Sequence, residues 1–199
     1  MSTALVTTGP QLLDLPAAPV FALLPLLPSK PAGLAALRVA PAGGGLVSVE
    51  LLSNLLVGRL LVEGTVARPI SLRAWALVDL KRRHRHAERL LVVDRGNHVA
   101  LVASNEDSTL ALLTTEAPAL PDLPADPMAL EPALEPVEQL VDPQLLIAAA
   151  AAVRDVVPGP VLVEQVAHPV LGLRLSSIQS PRVAVGLARM VRADGAPQS

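Results

Sequence analysis

Apolar and polar positions along this chain follow one pattern three times. A segment able to form a helix is followed by three short β-rich runs, beginning near residues 10, 70 and 140. The middle copy is the clearest. Residues 70–83 carry Leu72, Trp75, Ala76, Val78 and Leu80 at roughly helical spacing, and strand-like runs follow at 89–95, 98–104 and 109–115. The first copy predicts a helix over 11–27, kinked or split by its prolines, then strands at 34–40, 46–52 and 59–66. In the third copy Asp142 is placed to cap a helix that Pro143 opens, with Leu145, Leu146, Ala149, Ala152 and Val153 on its buried face. Pro158-Gly159-Pro160 ends that helix, strands are expected at 161–166, 170–176 and 182–191, and 193–199 reads as a frayed tail.

The connections between runs are short. Residues 41–45 (Pro-Ala-Gly-Gly-Gly), Gly96-Asn97 and residues 105–108 (Asn-Glu-Asp-Ser) are turn sequences, so each set of runs is expected to be an antiparallel meander. A helix over such a meander buries one face of the sheet, and repeated copies can extend a single sheet. The fold class that follows is α+β, mostly β, built of repeated helix-plus-antiparallel-strand modules. Six prolines between 117 and 136 exclude a helix or a central strand there. The expected organisation is a two-module domain at 1–116, a Pro-rich acidic linker at 117–136, and a third module at 137–199. That acidic stretch reads either as a connector crossing the outside of the fold or as a docking arm for a partner.

Composition narrows the function classes. Of the 199 residues 51% are apolar, enough for a sizeable core, but that core is almost all Leu, Val and Ala, with one Trp, one Phe and no Tyr. Cysteine is absent, which removes disulfides, thiol nucleophiles and cysteine metal sites and fits a cytoplasmic protein. The apolar N-terminus lacks a basic leader, and prolines break it. No uninterrupted apolar run approaches the roughly 20 residues of a membrane-spanning helix. The net charge of −2 hides a polarity: residues 68–95 hold 8 of the 16 Lys and Arg, whereas 116–142 hold 7 of the 18 acids and no base.

The basic stretch supplies the main functional candidate. Lys81, Arg82, Arg83 and Arg85, with Arg73 earlier on the same predicted helix, would form a phosphate-binding surface that attracts duplex DNA without reading bases. The competing explanation is a solvated helix end whose cations face the negative pole of the dipole. No aromatic residue is interleaved with the cluster, which argues against stacking on single strands. His84 and His86 sit among cations with no carboxylate at ligand spacing, and His98 and His168 lie in strand runs, so no metal is expected. The chain has no phosphate-binding glycine loop before a helix and no Gly-x-Ser-x-Gly elbow, and its carboxylates cluster where no rigid element would hold them. Neither an enzyme nor a cofactor is expected.

Several segments resemble the bacterial DNA sliding clamp, the β subunit of DNA polymerase III, whose domains each hold two helix-plus-strand modules with the helices lining a ring's channel. Residues 27–31 (Leu-Pro-Ser-Lys-Pro) are similar to that family's turn after its first helix, and 46–66 resemble a strand pair, with Asn54 where the family often has Asp. Residues 69–81 resemble the second helix. Residues 109–115, followed by Leu120-Pro-Asp-Leu-Pro124, are similar to the last strand and exit of the first domain, and 142–156 to the next domain's opening helix. The resemblance implies a shortened, divergent relative that is not an enzyme, acting on duplex DNA or at the replication and repair machinery. Arg73, Lys81, Arg82, Arg83 and Arg85 would meet phosphates, and exposed sheet edges would drive homo-oligomer formation. The rival expectation is a structural or assembly protein, a shell or scaffold subunit, that uses the same sheets only for packing.

Overall fold

The computed structural model describes residues 9–27, 36–53, 55–118, 122–135 and 140–189. Asn54, most of the turn expected at 27–31 and the expected tail at 193–199 therefore lie outside the described residues. The first module runs β1 (Gln11–Pro16), α1 (Ala17–Leu23), a 3-10 turn at Leu24–Leu26, β2 (Ala36–Gly43), β3 (Leu46–Leu52), β4 (Leu56–Glu63) and the short β5 (Thr65–Val66). The second runs β6 (Ile70–Arg73), α2 (Ala74–Arg83), β7 (Arg89–Asp94), β8 (Val99–Ser104) and β9 (Thr109–Thr114). The third comprises α3 (Pro143–Val156), β10 (Val161–Gln165), β11 (Leu171–Ser177) and β12 (Val183–Ala188). The α+β class of repeated helix-plus-meander modules is the architecture observed.

Two expected helices are shorter than the periodicity suggests. Residues 11–16 and 70–73 are strands, and each helix starts only afterwards. Spacing misleads here because Leu12, Leu13 and Leu15, like Ile70 and Leu72, fit a short strand as well as a helical turn. What selects the strand is a partner remote in sequence. β1 pairs antiparallel with β7 of the second module, whereas β6 pairs with β2 of the first. The two modules thus exchange their leading strands. The arrangement repeats on the far side of each exchanged strand, where Val66 pairs with Leu13 and Glu116 with Leu72.

Among the described residues two sheets result, one of five strands in the order β5-β1-β7-β8-β9 and one of seven in the order β10-β11-β12-β4-β3-β2-β6. The third module joins the seven-stranded sheet through β12 alongside β4, with Val183 opposite Leu60 and Leu187 opposite Leu56. Turns act as their sequences require. Gly44 and Gly45 take positive φ between β2 and β3, and Asn105 accepts backbone N–H groups of Asp107 and Ser108 between β8 and β9. After β4 the chain passes so close to β1 that a Cβ on Gly64 would come within 2.5 Å of the Asp14 carbonyl.

One core holds all three helices and one face of both sheets, including Leu37, Leu51, Leu60, Leu77, Leu80, Leu90, Leu101 and Val185. Each such fully buried side chain contributes roughly 1.5–3 kcal/mol. The helices therefore share one side of the sheets, with α1 in contact with both α2 and α3. The period-two alternation is visible in β7, where Leu90 and Val92 enter this core while Leu91 and Val93 face the other way.

The opposite face of the seven-stranded sheet holds a polar ladder. Arg38, Glu50 and Arg59 are register neighbours, Arg38 Nε donates to Glu50 Oε2 at 2.6 Å, and Ser48 joins Glu50 to Arg59. The described part of the proline-rich segment lies across this face. Asp122 pairs with Arg38, Asp126 pairs with Arg59, and the Leu130 carbonyl accepts from Arg174. Leu123, Ala125 and Leu130 pack there with Leu52, Val57, Val166 and Leu171. Two of its acids thus neutralise sheet arginines.

Candidate nucleic-acid interface

α2 carries the basic candidates, and its sequence explains its exposure. Ala74, Ala76, Leu77 and Leu80 are buried, which leaves Trp75, Val78, Arg82 and Arg83 on the solvent side. Trp75 and Val78, whose spacing suggests a buried stripe, are thus exposed, Trp75 at 53%. The helix ends at Arg83, where the His84 N–H donates back to the Leu80 and Lys81 carbonyls. Lys81, Arg82 and Arg83 occupy its last turn, next to the negative pole of its dipole.

The five cations have different surroundings. Arg82 and Arg83 reach out from the helix and both pair with Asp79, at 2.6 and 3.0 Å. Desolvation opposes ionisation of Asp79, yet the hydrogen bonds from Arg83 and Arg82 outweigh it and hold the carboxyl below its ordinary range. Lys81 is turned inward, its ammonium donating to the Phe21 carbonyl at 2.8 Å, so it ties α2 to α1. Arg73, at the N-cap, donates to Thr115 Oγ1 at 3.0 Å, and Arg85 Nε donates to His86 Nε2 at 2.9 Å. The structure therefore places Arg82, Arg83 and Arg85 together around the end of α2 and Arg73 at its other end. Arg82, with its side chain 75% exposed, is the most open of the Asp79-paired arginines.

The other helices differ in charge. α1 has no basic residue in its last turn and α3 has only Arg154 there. A groove of about 440 Å³ between α1, β4 and the end of α3 is lined by Pro19, Leu60, Val62 and Val157, with Glu63 and Arg182 paired across 3.3 Å at its edge. Among the described residues, no three His, Asp or Glu side chains gather in a way that could hold a metal ion. No helix among them is long and apolar enough to cross a membrane.

The shape of the molecule is the informative comparison. It superposes on the DNA polymerase sliding clamp from Bacillus subtilis with a TM-score of 0.60 at 8% identity, over 94% of this chain and 65% of that one. The C. crescentus β sliding clamp gives 0.59 at 13% identity, over 94% and 66%. This is the fold of a DNA sliding clamp. The DNA polymerase III β subunit from Thermotoga maritima agrees, at 0.54 and 10% identity over 90% and 64%. The chain thus spans about two thirds of the length of these clamps. At the level of sequence no family model and no curated protein matches. The likeness is one of overall fold, at 8–13% identity.

Proposed function

We propose that this chain is a shortened, divergent, clamp-like protein that works without catalysis. It associates non-specifically with duplex DNA or with the replication and repair machinery in the cytoplasm, and it self-assembles through its sheet edges. The observation that carries this reading is the sliding-clamp fold itself, with its helices on one side of the sheets and the exposed Arg82 and Arg83 at the end of α2. Arg73 and Arg85 would add phosphate contacts, with Lys81 contributing through donors left over from its bond to Phe21.

The test is duplex binding as a function of salt. Each phosphate neutralised contributes roughly 0.9 to the log–log salt slope. Substituting Arg82, Arg83 and Arg85 together by Ala is expected to flatten that slope by about two to three units. Folding should persist, because exposed ion pairs contribute little stability. A slope unchanged by the triple substitution, or no duplex binding at low salt, would discard the DNA role.

The second reading is a structural or assembly subunit without a nucleic-acid role. It is favoured by the pairing of both α2 arginines with Asp79 and by β9, which has no strand on its outer side among the described residues and exposes Leu113. Oligomers that form normally yet ignore DNA at every salt concentration would select it.

A further inference from the structure

The chain has one phenylalanine and one tryptophan, and only the phenylalanine serves the core. Phe21 is buried on α1, whereas Trp75 stands in solvent in the first turn of α2. The inner side of α2 is filled without it, by Ala74, Ala76, Leu77 and Leu80. An indole carries one of the largest apolar surfaces of any side chain, so leaving it exposed forgoes a sizeable contribution to folding.

In the sequence Trp75 precedes the basic run at 81–86, and no aromatic lies within that run. The helix removes the separation. At i and i+7, Trp75 and Arg82 are nearly two turns apart, so they project on the same side, about 10 Å from each other along the axis. The exposed Val78 lies between them, and Arg83 flanks Arg82. Arg82 and Arg83 share Asp79, which leaves this face two cations against one carboxylate. One carboxylate cannot occupy all the donors of two guanidinium groups, so donors remain for a phosphate.

We propose that this face of α2 binds single-stranded DNA, with a base stacked on the Trp75 indole and neighbouring phosphates held by Arg82 and Arg83. Stacking on an aromatic ring beside a positively charged track is how single strands are held without regard to sequence. A duplex keeps the faces of its bases inside the stack and offers Trp75 none of them, so the indole distinguishes the two forms. A protein partner fits this face less well. A docking helix reads a continuous apolar stripe at i, i+3, i+4 and i+7. Counted from Trp75, Val78 supplies the i+3 position, but Asp79 and Arg82 stand at i+4 and i+7. The inference rests on the reading that α2 faces DNA, and it names the form of DNA that α2 selects.

Trp75 is the sole tryptophan, so its emission reports contact at this face alone. Titrating the native chain with oligothymidylate at low salt is expected to quench that emission, while a duplex of equal length quenches it little. In anisotropy with dye-labelled strands, Trp75→Ala should weaken oligothymidylate binding by about tenfold or more, as loss of one stacked base predicts. Trp75→Phe, which keeps an aromatic face, should retain most of the affinity. Duplex affinity and its salt slope should be the same in all three chains. Trp75 is exposed, so the circular dichroism spectrum should not change, and the quenching is read on the native chain whatever the variants do. Oligothymidylate that binds without quenching, or as tightly to the Trp75→Ala chain, would overturn this proposal and leave duplex association standing. Absence of binding to either form at low salt would overturn it together with the DNA reading. Loss of self-association in Trp75→Ala, with affinity for both forms unchanged, would overturn it in favour of a protein contact.

Discussion

Glu50 shows how a single residue ties strand register to the path of a distant segment. Its carboxylate is buried on the outer face of the seven-stranded sheet and accepts from Arg38 and Ser48, while Arg38 and Arg59 reach onward to Asp122 and Asp126. A buried charge is tolerated only where it is hydrogen-bonded and paired. Glu50→Ala would leave Arg38 without its nearest counter-charge and is expected to cost about 1–3 kcal/mol. Urea unfolding should show a lower midpoint at an unchanged slope, and a midpoint equal to that of the native chain would refute this role. The acidic character of 116–142 is plain in the sequence. That two of its acids answer sheet arginines is not, because Arg38 and Arg59 lie more than sixty positions earlier.

At the scale of elements, α3 was the most legible helix, whereas the patterns read for α1 and α2 each conceal a leading strand. Asp142 accepts from the Gln144 and Leu145 N–H groups, as an Asp before Pro at a helix start should. In α2 the fourteen-residue pattern conceals a strand, and the helix that remains turns Trp75 outward and Leu77 inward. Its end is also a small electrostatic device. The Asp79 carboxyl is held below its usual value of about 4, so the stability it contributes is present above that pH and is lost as pH falls through the lowered value. Asp79→Asn should therefore reduce the fall in thermal midpoint between about pH 5 and pH 2. At neutral pH the same substitution frees Arg82 and Arg83, and duplex binding at low salt should tighten by about fivefold or less, the reach of one exposed charge. An unchanged or weaker affinity would mean that α2 does not face the nucleic acid.

For the whole molecule the strand exchange has an energetic consequence. β1 belongs by sequence to the first module and by pairing to the second, and β6 the reverse. Neither module can open without removing a strand from the other, so residues 9–116 should unfold as one cooperative unit. Amide exchange in β2, β3, β7 and β8 is expected to share a single opening free energy under native conditions. Two distinct values, one for each meander, would show that the exchange does not couple them. The joint between β4 and β12 extends the same sheet to the third module, which places β10 at the far end of the seven-stranded sheet.

The sequence by itself determined the module count, the meanders, their turns, the cap of α3 and the segregation of charge. Each of these follows from local chemistry: glycine at positive φ, Asn and Asp at turns and caps, and period-two burial in short strands. Tertiary structure alone decided that 11–16 and 70–73 are strands, because a six- or four-residue apolar segment takes its conformation from the edge it meets. It also decided that Lys81 binds the Phe21 carbonyl while Arg82 faces solvent, since a long side chain settles on whichever acceptor another helix brings within reach. The proposed phosphate-binding surface belongs to that second class: a run of cations is written in the chain, but which of them remain available depends on Asp79, Phe21, Thr115 and His86.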